Sequence, residues 1–120
     1  MPSWFQMLEA RTVPVMPDAA ASPAAETAAG GIEGGIGARP FEVLRTRIDR
    51  VALVSEEEIF GGVRWMLETH QHLIEPSAAA AVAACLSGKA GRFEGPVIVV
   101  ISGRNVSLET LRKILGASRV

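Results

Sequence analysis

Two polar residues follow directly on the most apolar run of this chain. Residues 97–101 are all branched aliphatics, and Ser102, Gly103 and Asn105 come immediately after them. A strand that is apolar at every position is typical of the centre of a parallel α/β sheet, where both faces are covered. Such sheets bind ligands outside the carboxyl ends of their strands. Ser102 and Asn105 therefore occupy the place where a small molecule would be held, and the alternative for Ser102 is a serine that satisfies only the backbone of a turn.

Other residue types with chemical potential are arranged less favourably for a site. His70 and His72 lie two positions apart on a predicted helix and point about 160° away from one another around its axis, which is poor geometry for a shared metal ion. The glycine-rich stretch 30–37 lacks the preceding strand and the directly following helix of a phosphate loop, so a flexible connector is expected. Cys85 has no histidine at a motif spacing, and a small buried residue is the expected interpretation.

The longest predicted helix begins after Ser55. Ser55 and Glu58 have the spacing of a capping box, and apolar residues follow at helical intervals. Gly61 and Gly62 lie inside this helix, where each glycine costs about 1 kcal/mol relative to alanine. We therefore expect a close neighbour at this pair.

Three further helices and a second strand are predicted around it. A short helix begins at Pro40 and runs through Arg47, and residues 50–54 form a short strand. The alanine-rich segment 77–86 is predicted to be a helix that another backbone can approach closely. A last helix covers residues 107–115 before Gly116. Its expected inward residues are Leu108, Leu111, Ile114 and Leu115.

The number of predicted strands is too small for the sheet that residues 97–101 require. Two strands cannot cover a central strand on both sides, because one of them must lie at an edge. The sequence thus predicts an α/β fold with a partial three-layer sheet. The chain either borrows the rest of the sheet from a partner or is the C-terminal part of a larger protein.

Composition limits the possible functions. The chain has 120 residues, 48% of them hydrophobic, and 12 basic against 13 acidic residues. The near-neutral charge, without a basic run or any tyrosine, argues against nucleic acid as a partner. The single cysteine and the lack of a signal peptide or an apolar span of about 18 residues predict a soluble, cytoplasmic protein that does not enter a membrane. Residues 1–37 are expected to be loop or partly disordered chain, and 38–120 the folded portion. The N-terminal segment holds four residues that could dock on a partner: Trp4, Phe5, Met7 and Leu8.

Five motifs, in order and spacing, resemble the C-terminal region of the serine/threonine dehydratases. The motifs are AGGIE (29–33), VSEEEI (54–59), IEPSAAAA (74–81), LSGK (86–89) and VVISGRN (99–105). These dehydratases are pyridoxal-phosphate enzymes whose fold, fold type II, also includes the tryptophan synthase β chain. The resemblance covers roughly residues 25–116. It implies two α/β subdomains with the cofactor between them, and a reaction in which a hydroxy-amino acid loses water and then ammonia.

The resemblance also implies roles for individual residues. The serine of the family's SGxN turn hydrogen-bonds the pyridine nitrogen of pyridoxal phosphate, and Ser102 matches it, with Gly103 and Asn105 lining the same end of the cofactor. A neutral hydroxyl leaves the ring nitrogen largely unprotonated, so the cofactor ring withdraws electrons less strongly. The glutamate of the Glu-Pro segment, here Glu75, is expected to shape that end of the site. The alternative for Glu75 is an acidic residue favoured by the positive end of a helix.

The chain departs from the family in three respects. A Thr-x-Ala-acid-Gly stretch normally precedes AGGIE, and Pro23 and Thr27 do not fit it. The family usually reads SGGN, and Arg104 replaces the second glycine. The Schiff-base lysine, the asparagine over the cofactor ring and the glycine-rich phosphate loop belong to the family's earlier portion, and neither Lys89 nor Lys113 matches that lysine. We therefore expect no catalytic residue and no activity from this chain alone. It is predicted to be part of a pyridoxal-phosphate-dependent lyase that acts with a missing N-terminal portion or as a subunit of an oligomer. The alternative is a non-catalytic interaction module derived from that family.

Overall fold

The structure, a computed structural model, describes residues 27–32 and 37–116. These residues fall into two units, 37–53 and 27–32 together with 54–116. Every candidate site residue lies in the second unit. The predicted docking segment at residues 4–8 lies outside the described residues, and the predicted boundary at residue 37 stays a prediction.

The first unit contains one short helix, α1, at Ala38–Leu44. It starts and ends earlier than the predicted span, and a turn replaces the helix at residues 45–47. Phe41 is buried, and Leu44 and Ile48 are half-buried. The sequence pattern that places Phe41, Leu44 and Ile48 on one face of this segment therefore agrees with their burial.

The main helix of the second unit, α2, spans Glu56–His70. The Ser55 side chain accepts a hydrogen bond from the Glu58 backbone N–H at 3.2 Å, and the Glu58 carboxylate accepts one from the Ser55 N–H at 2.6 Å. The predicted capping box is therefore present. The helix ends at Gln71, whose left-handed backbone (φ 51°) cannot continue an α-helix.

Helix α3 spans Pro76–Leu86 and packs along α2. Gly62 is the reason the two backbones can approach, because a β-carbon there would lie 3.0 Å from the Ala79 carbonyl oxygen. The expected close neighbour is thus confirmed at Gly62 but not at Gly61, which has open space around it. The buried core is formed by α2 and α3 with contributions from residues on either side of them: Ala29, Ile59, Phe60, Val63, Ile74, Ala78, Ala79, Val82 and Ile114.

Helix α4 covers Leu108–Gly116 and packs on α2. The Ser107 hydroxyl accepts a hydrogen bond from the Thr110 N–H at 3.0 Å, as expected of a residue that opens a helix. Ile114 is buried, but Leu108 and Leu115 are 73% and 52% exposed, so their predicted inward position is wrong. A single neighbouring helix can cover only a narrow stripe of α4.

Residues 97–101 do not form a strand. They make no backbone hydrogen bond with other described residues, and Val99 and Ile101 pack against the core while Ile98 and Val100 are 89% and 71% exposed. Alternate side chains therefore face opposite sides, as they do in a strand. One side is covered by helices, and the other is open.

The predicted partial sheet is not confirmed, because the described residues contain helices and no β-strand, at 50–54 as well as at 97–101. The physical reason is that a strand needs a hydrogen-bonded neighbour. No helix among the described residues is long and apolar enough to cross a bilayer.

Candidate functional site

The turn that follows residues 97–101 is fastened to the start of α3 through Glu75. The Glu75 carboxylate (Oε2) accepts a hydrogen bond from the backbone N–H of Asn105 at 2.8 Å. The backbone N–H of Glu75 donates to the carbonyl of Gly103 at 3.1 Å. Although Glu75 is the N-cap residue of α3, its side chain does not cap that helix. It reaches instead to a turn about thirty residues further along the chain.

Gly103 allows this contact. A β-carbon built on Gly103 would lie 2.6 Å from both Cδ and Oε1 of Glu75 and 2.7 Å from Oε2. Real β-carbons do not approach other atoms so closely, so any other residue would displace the carboxylate or the turn. The backbone φ of Gly103 is not positive. Close approach, rather than an unusual backbone conformation, therefore requires glycine here.

Ser102 and Asn105 present their side chains at the surface of this turn. Both residues are exposed, and neither the Ser102 hydroxyl nor the Asn105 side-chain amide hydrogen-bonds another described residue. A hydroxyl can donate to the lone pair of an aromatic nitrogen, and an amide can donate or accept. This donor set fits the pyridine end of a pyridoxal-phosphate ring. The structure thus brings Ser102, Gly103, Asn105 and Glu75 together.

A second glycine-containing segment is attached to the same helix end. The Gly31 N–H donates to the Ser77 hydroxyl at 2.9 Å, and a β-carbon on Gly31 would lie 2.7 Å from that oxygen. The start of α3 therefore holds two segments, the Gly30–Ile32 turn through Ser77 and residues 103–105 through Glu75. Sequence reasoning missed Ser77, although its position directly after Glu75-Pro76 is a signal that could have indicated it.

Glu56 anchors the residues before the Gly30–Ile32 turn. Its carboxylate accepts hydrogen bonds from the Thr27 hydroxyl and, at 3.1 Å, from the Ala28 N–H. From its place in the first turn of α2, the sequence indicates only a charge that the positive helix end favours. No local pattern could have indicated a partner 28 or 29 residues away.

Arg104 occupies its position without backbone strain. Among the described non-glycine residues only Gln71 has a positive φ, so the second glycine of the family's turn is not needed for conformational reasons. The Arg104 side chain is exposed.

The two lysines, Lys89 and Lys113, are not part of the turn at residues 102–105. Lys89 pairs with Glu58 at 2.7 Å, at the start of α2. The hydrogen bonds from Lys89 and from the Ser55 backbone lower the pKa of Glu58. Lys113 lies within α4.

An apolar cavity of about 340 Å³ lies between α2, α3 and residues 97–101. Its lining includes Trp65, whose ring meets that of His70 edge to face at 4.8 Å, and Cys85. Cys85 is exposed, so the predicted burial of this residue is wrong. The reason is its position on the edge of α3 that faces the cavity rather than α2.

Comparison with known proteins gives consistent results. The family model "Pyridoxal-phosphate dependent enzyme" matches residues 6–103. A provisionally named threonine dehydratase of Sinorhizobium fredii is 38% identical over 90 residues, which are 72% of this chain and 27% of the relative. The L-threonine ammonia-lyase of Geobacter sulfurreducens is 32% identical over 79 residues, which are 66% of this chain and 20% of the relative.

Solved structures show the same fold. A T.th. threonine deaminase superimposes with a TM-score of 0.73 at 28% identity, covering 87% of this chain and 36% of the other. The serine racemase of Dictyostelium discoideum also gives a TM-score of 0.73, covering 88% of this chain and 32% of the other. The chain therefore spans about a quarter of the curated relatives and about a third of the solved structures. Its motifs, its fold and a family match that covers most of its length agree, and the chain belongs to the family of pyridoxal-phosphate dependent enzymes.

Proposed function

We propose that this chain supplies the pyridine-nitrogen end of a pyridoxal-phosphate site in a lyase that dehydrates and deaminates serine- or threonine-type hydroxy-amino acids. Ser102 is the residue that contacts the ring nitrogen, Gly103 and Asn105 line the same end, and Glu75 shapes it. Residues 38–120 are the portion of the chain that carries these groups, and residues 1–37 precede it. A cytoplasmic location belongs to the same proposal.

The observation that carries this proposal is the arrangement of the turn at residues 102–105. Glu75 and Gly103 hold its backbone, while the Ser102 hydroxyl and the Asn105 amide make no hydrogen bond with other described residues. Polar groups that are held in place but have no protein partner are suited to receive a ligand.

Pyridoxal phosphate, when bound, acts as an electron sink for carbanion chemistry at the amino-acid substrate. The task of Ser102 is to donate a hydrogen bond from its hydroxyl to the ring nitrogen. A serine hydroxyl has no tendency to transfer that proton completely, so the ring nitrogen stays uncharged. The tight contact of Gly103 with Glu75 keeps the neighbouring Ser102 backbone in place.

The remaining parts of the active site come, in this proposal, from a separately encoded partner or from a portion of the enzyme outside this chain. The relatives extend well beyond the matched region, which supports this arrangement. The Schiff-base lysine is among those parts, because Lys89 is engaged with Glu58 and Lys113 lies within a helix. The chain by itself is therefore inactive in deamination.

A spectral titration with pyridoxal phosphate tests the proposal. The chain is titrated alone and after co-expression with the part of the T.th. threonine deaminase outside the matched region. We expect a protein-bound absorbance band and threonine deamination only in the co-expressed sample, and an altered band when Ser102→Asp is introduced. The matched control is Ser87→Asp, which changes an exposed serine at the other end of α3. A band in the chain alone that disappears in Lys89→Met or Lys113→Met would contradict the proposal.

The alternative of a non-catalytic interaction module gains no support from the comparisons. Trp4 and Phe5, through which it would dock, lie outside the described residues. The alanine-rich helix that it would use packs against α2.

A further inference from the structure

We propose that Glu75 is a positioning residue, which acts on the cofactor end of the site through the backbone of Asn105 and Gly103 rather than by touching the ring. This inference rests on the proposed function only for the identity of what Ser102 contacts. The contacts of Glu75 with Gly103 and Asn105, called the Glu75 clamp below, are a property of this chain.

The carboxylate of Glu75 is already engaged. One oxygen accepts the Asn105 N–H at 2.8 Å, and the carboxyl group lies against Gly103, where a β-carbon would come within 2.6 Å of it. A carboxylate bonded to a backbone amide and packed on a glycine is arranged to hold backbone. Hydrogen bonds that involve a charged acceptor are also the stronger ones.

The turn has few other restraints. The Val106 N–H donates to the Arg104 carbonyl at 3.0 Å, which closes the turn locally, but the preceding residues 97–101 make no backbone hydrogen bond with other described residues. Two long-range hydrogen bonds therefore restrain this turn, and both involve Glu75. Its N–H donates to the Gly103 carbonyl, and its carboxylate accepts from the Asn105 N–H. Loss of the carboxylate bond should let the backbone on either side of Gly103, Ser102 included, move more freely.

Ser77 provides a matched control on the same helix turn. It holds Gly31 by the same type of contact, a side-chain oxygen that accepts a glycine-segment amide. A general weakening of the α3 start would affect both contacts. If the Glu75 clamp is specific, its loss should loosen the Asn105 amide and leave the Gly31 amide protected.

The test uses amide hydrogen exchange and the three-bond couplings of Ser102, measured by NMR on the full chain without cofactor. In Glu75→Ala we expect the Asn105 amide to exchange about tenfold faster and the coupling between the amide and α protons of Ser102 to move toward its conformationally averaged value. The Gly31 amide and the amides of Ala79 and Val82 in α3 should keep their protection. In Glu75→Gln the amide oxygen still accepts from Asn105, so both readouts should stay close to those of the unaltered chain.

Ser77→Ala should give the reverse pattern, with a faster Gly31 amide and an unchanged Asn105 amide. The inference is overturned if Asn105 exchange and the backbone coupling of Ser102 are the same in Glu75→Ala as in the unaltered chain, or if Glu75→Gln loosens the turn as much as alanine does. Should Glu75→Ala fail to fold, Glu75→Asp, whose shorter side chain does not reach the Asn105 N–H, takes its place with the same expected readouts. Because no cofactor is present, a chain that never binds pyridoxal phosphate would refute the proposed function and leave this result intact.

Discussion

Gly62 of α2 and Ala79 of α3 meet backbone to backbone, and a β-carbon on Gly62 would lie 3.0 Å from the Ala79 carbonyl oxygen and 3.4 Å from the Ala83 nitrogen. The neighbouring Gly61 has nothing within 4 Å of its β-carbon position. Two adjacent glycines in one helix therefore differ in what they contribute. One permits the packing of two helices, and the other only lowers helix stability.

The glycine pair predicts opposite effects of the same substitution. Gly61→Ala should raise the free energy of unfolding by about 0.5–1 kcal/mol, because alanine is the better helix former and meets no neighbour. Gly62→Ala should lower it by about 1–3 kcal/mol, because α3 must move away. Urea unfolding followed by circular dichroism measures both. Equal effects of the two variants would show that α2 and α3 do not pack closely at Gly62.

A β-carbon at Gly103 should disturb the candidate site more than the fold. Gly103→Ala should displace the Glu75 carboxylate, because real β-carbons do not lie 2.6 Å from another atom, and should cost only about 1 kcal/mol for the lost hydrogen bond, because the end of a side chain can move. Gly95→Ala is the control, since Gly95 has open space and no positive φ. Unfolding midpoints and the Asn105 amide resonance report the two effects. An unchanged Asn105 resonance in Gly103→Ala would argue against the contact with Glu75.

The two sides of residues 97–101 should differ in stability. Ile98→Ala should change the free energy of unfolding by less than about 0.5 kcal/mol, since Ile98 is 89% exposed. Ile101→Ala should cost about 1–2 kcal/mol, because Ile101 is half-buried against the core, and full burial of isoleucine is worth more. Chemical denaturation of the two variants gives the comparison. A large loss in Ile98→Ala would mean that the outer side of this segment is covered in solution.

The ion pair between Glu58 and Lys89 should make part of the stability depend on pH. The hydrogen bond from Lys89, followed by that from the Ser55 backbone, lowers the pKa of Glu58 in the folded chain. A group with a lowered folded pKa contributes stability that is present above its unfolded pKa and lost as pH falls through the folded value. Acidification below the ordinary glutamate range, about pH 4–5, should therefore weaken the fold.

Two variants isolate this contribution. Glu58→Gln cannot titrate, so its loss of stability between pH 7 and acidic pH should be smaller than that of the unaltered chain. Lys89→Met should leave less stability to be lost on acidification, because the pKa of Glu58 then lies closer to its ordinary value. Urea unfolding at several pH values provides the measurement. Identical pH profiles of Glu58→Gln and the unaltered chain would rule out this role of the pair.

Local patterns were sufficient for most helices and for the family. The capping box of Ser55 and Glu58, the proline at the start of α3 and the serine before α4 each act within about one helical turn, so their effects can be derived from neighbouring residues. The order of five short motifs likewise indicates a pyridoxal-phosphate enzyme from the sequence alone. Helix ends and motif order follow from the linear order of the residues.

The remaining features depend on residues far apart in the chain, and only packing in three dimensions reveals them. The fastening of Glu75 to Asn105 and of Gly31 to Ser77 joins positions 30 and 46 residues apart, and no local pattern encodes such a distance. Residues 97–101 have the composition of a central strand. Whether they form one depends on a hydrogen-bonded neighbouring strand, which the residue types of this segment do not determine. Residue types and motif order indicate which residues belong to the proposed cofactor site. Which of them hold the backbone, as Glu75 does, and which leave their side chains exposed, as Ser102 and Asn105 do, follows from the folded arrangement, since side-chain contacts form only when separate segments are brought together.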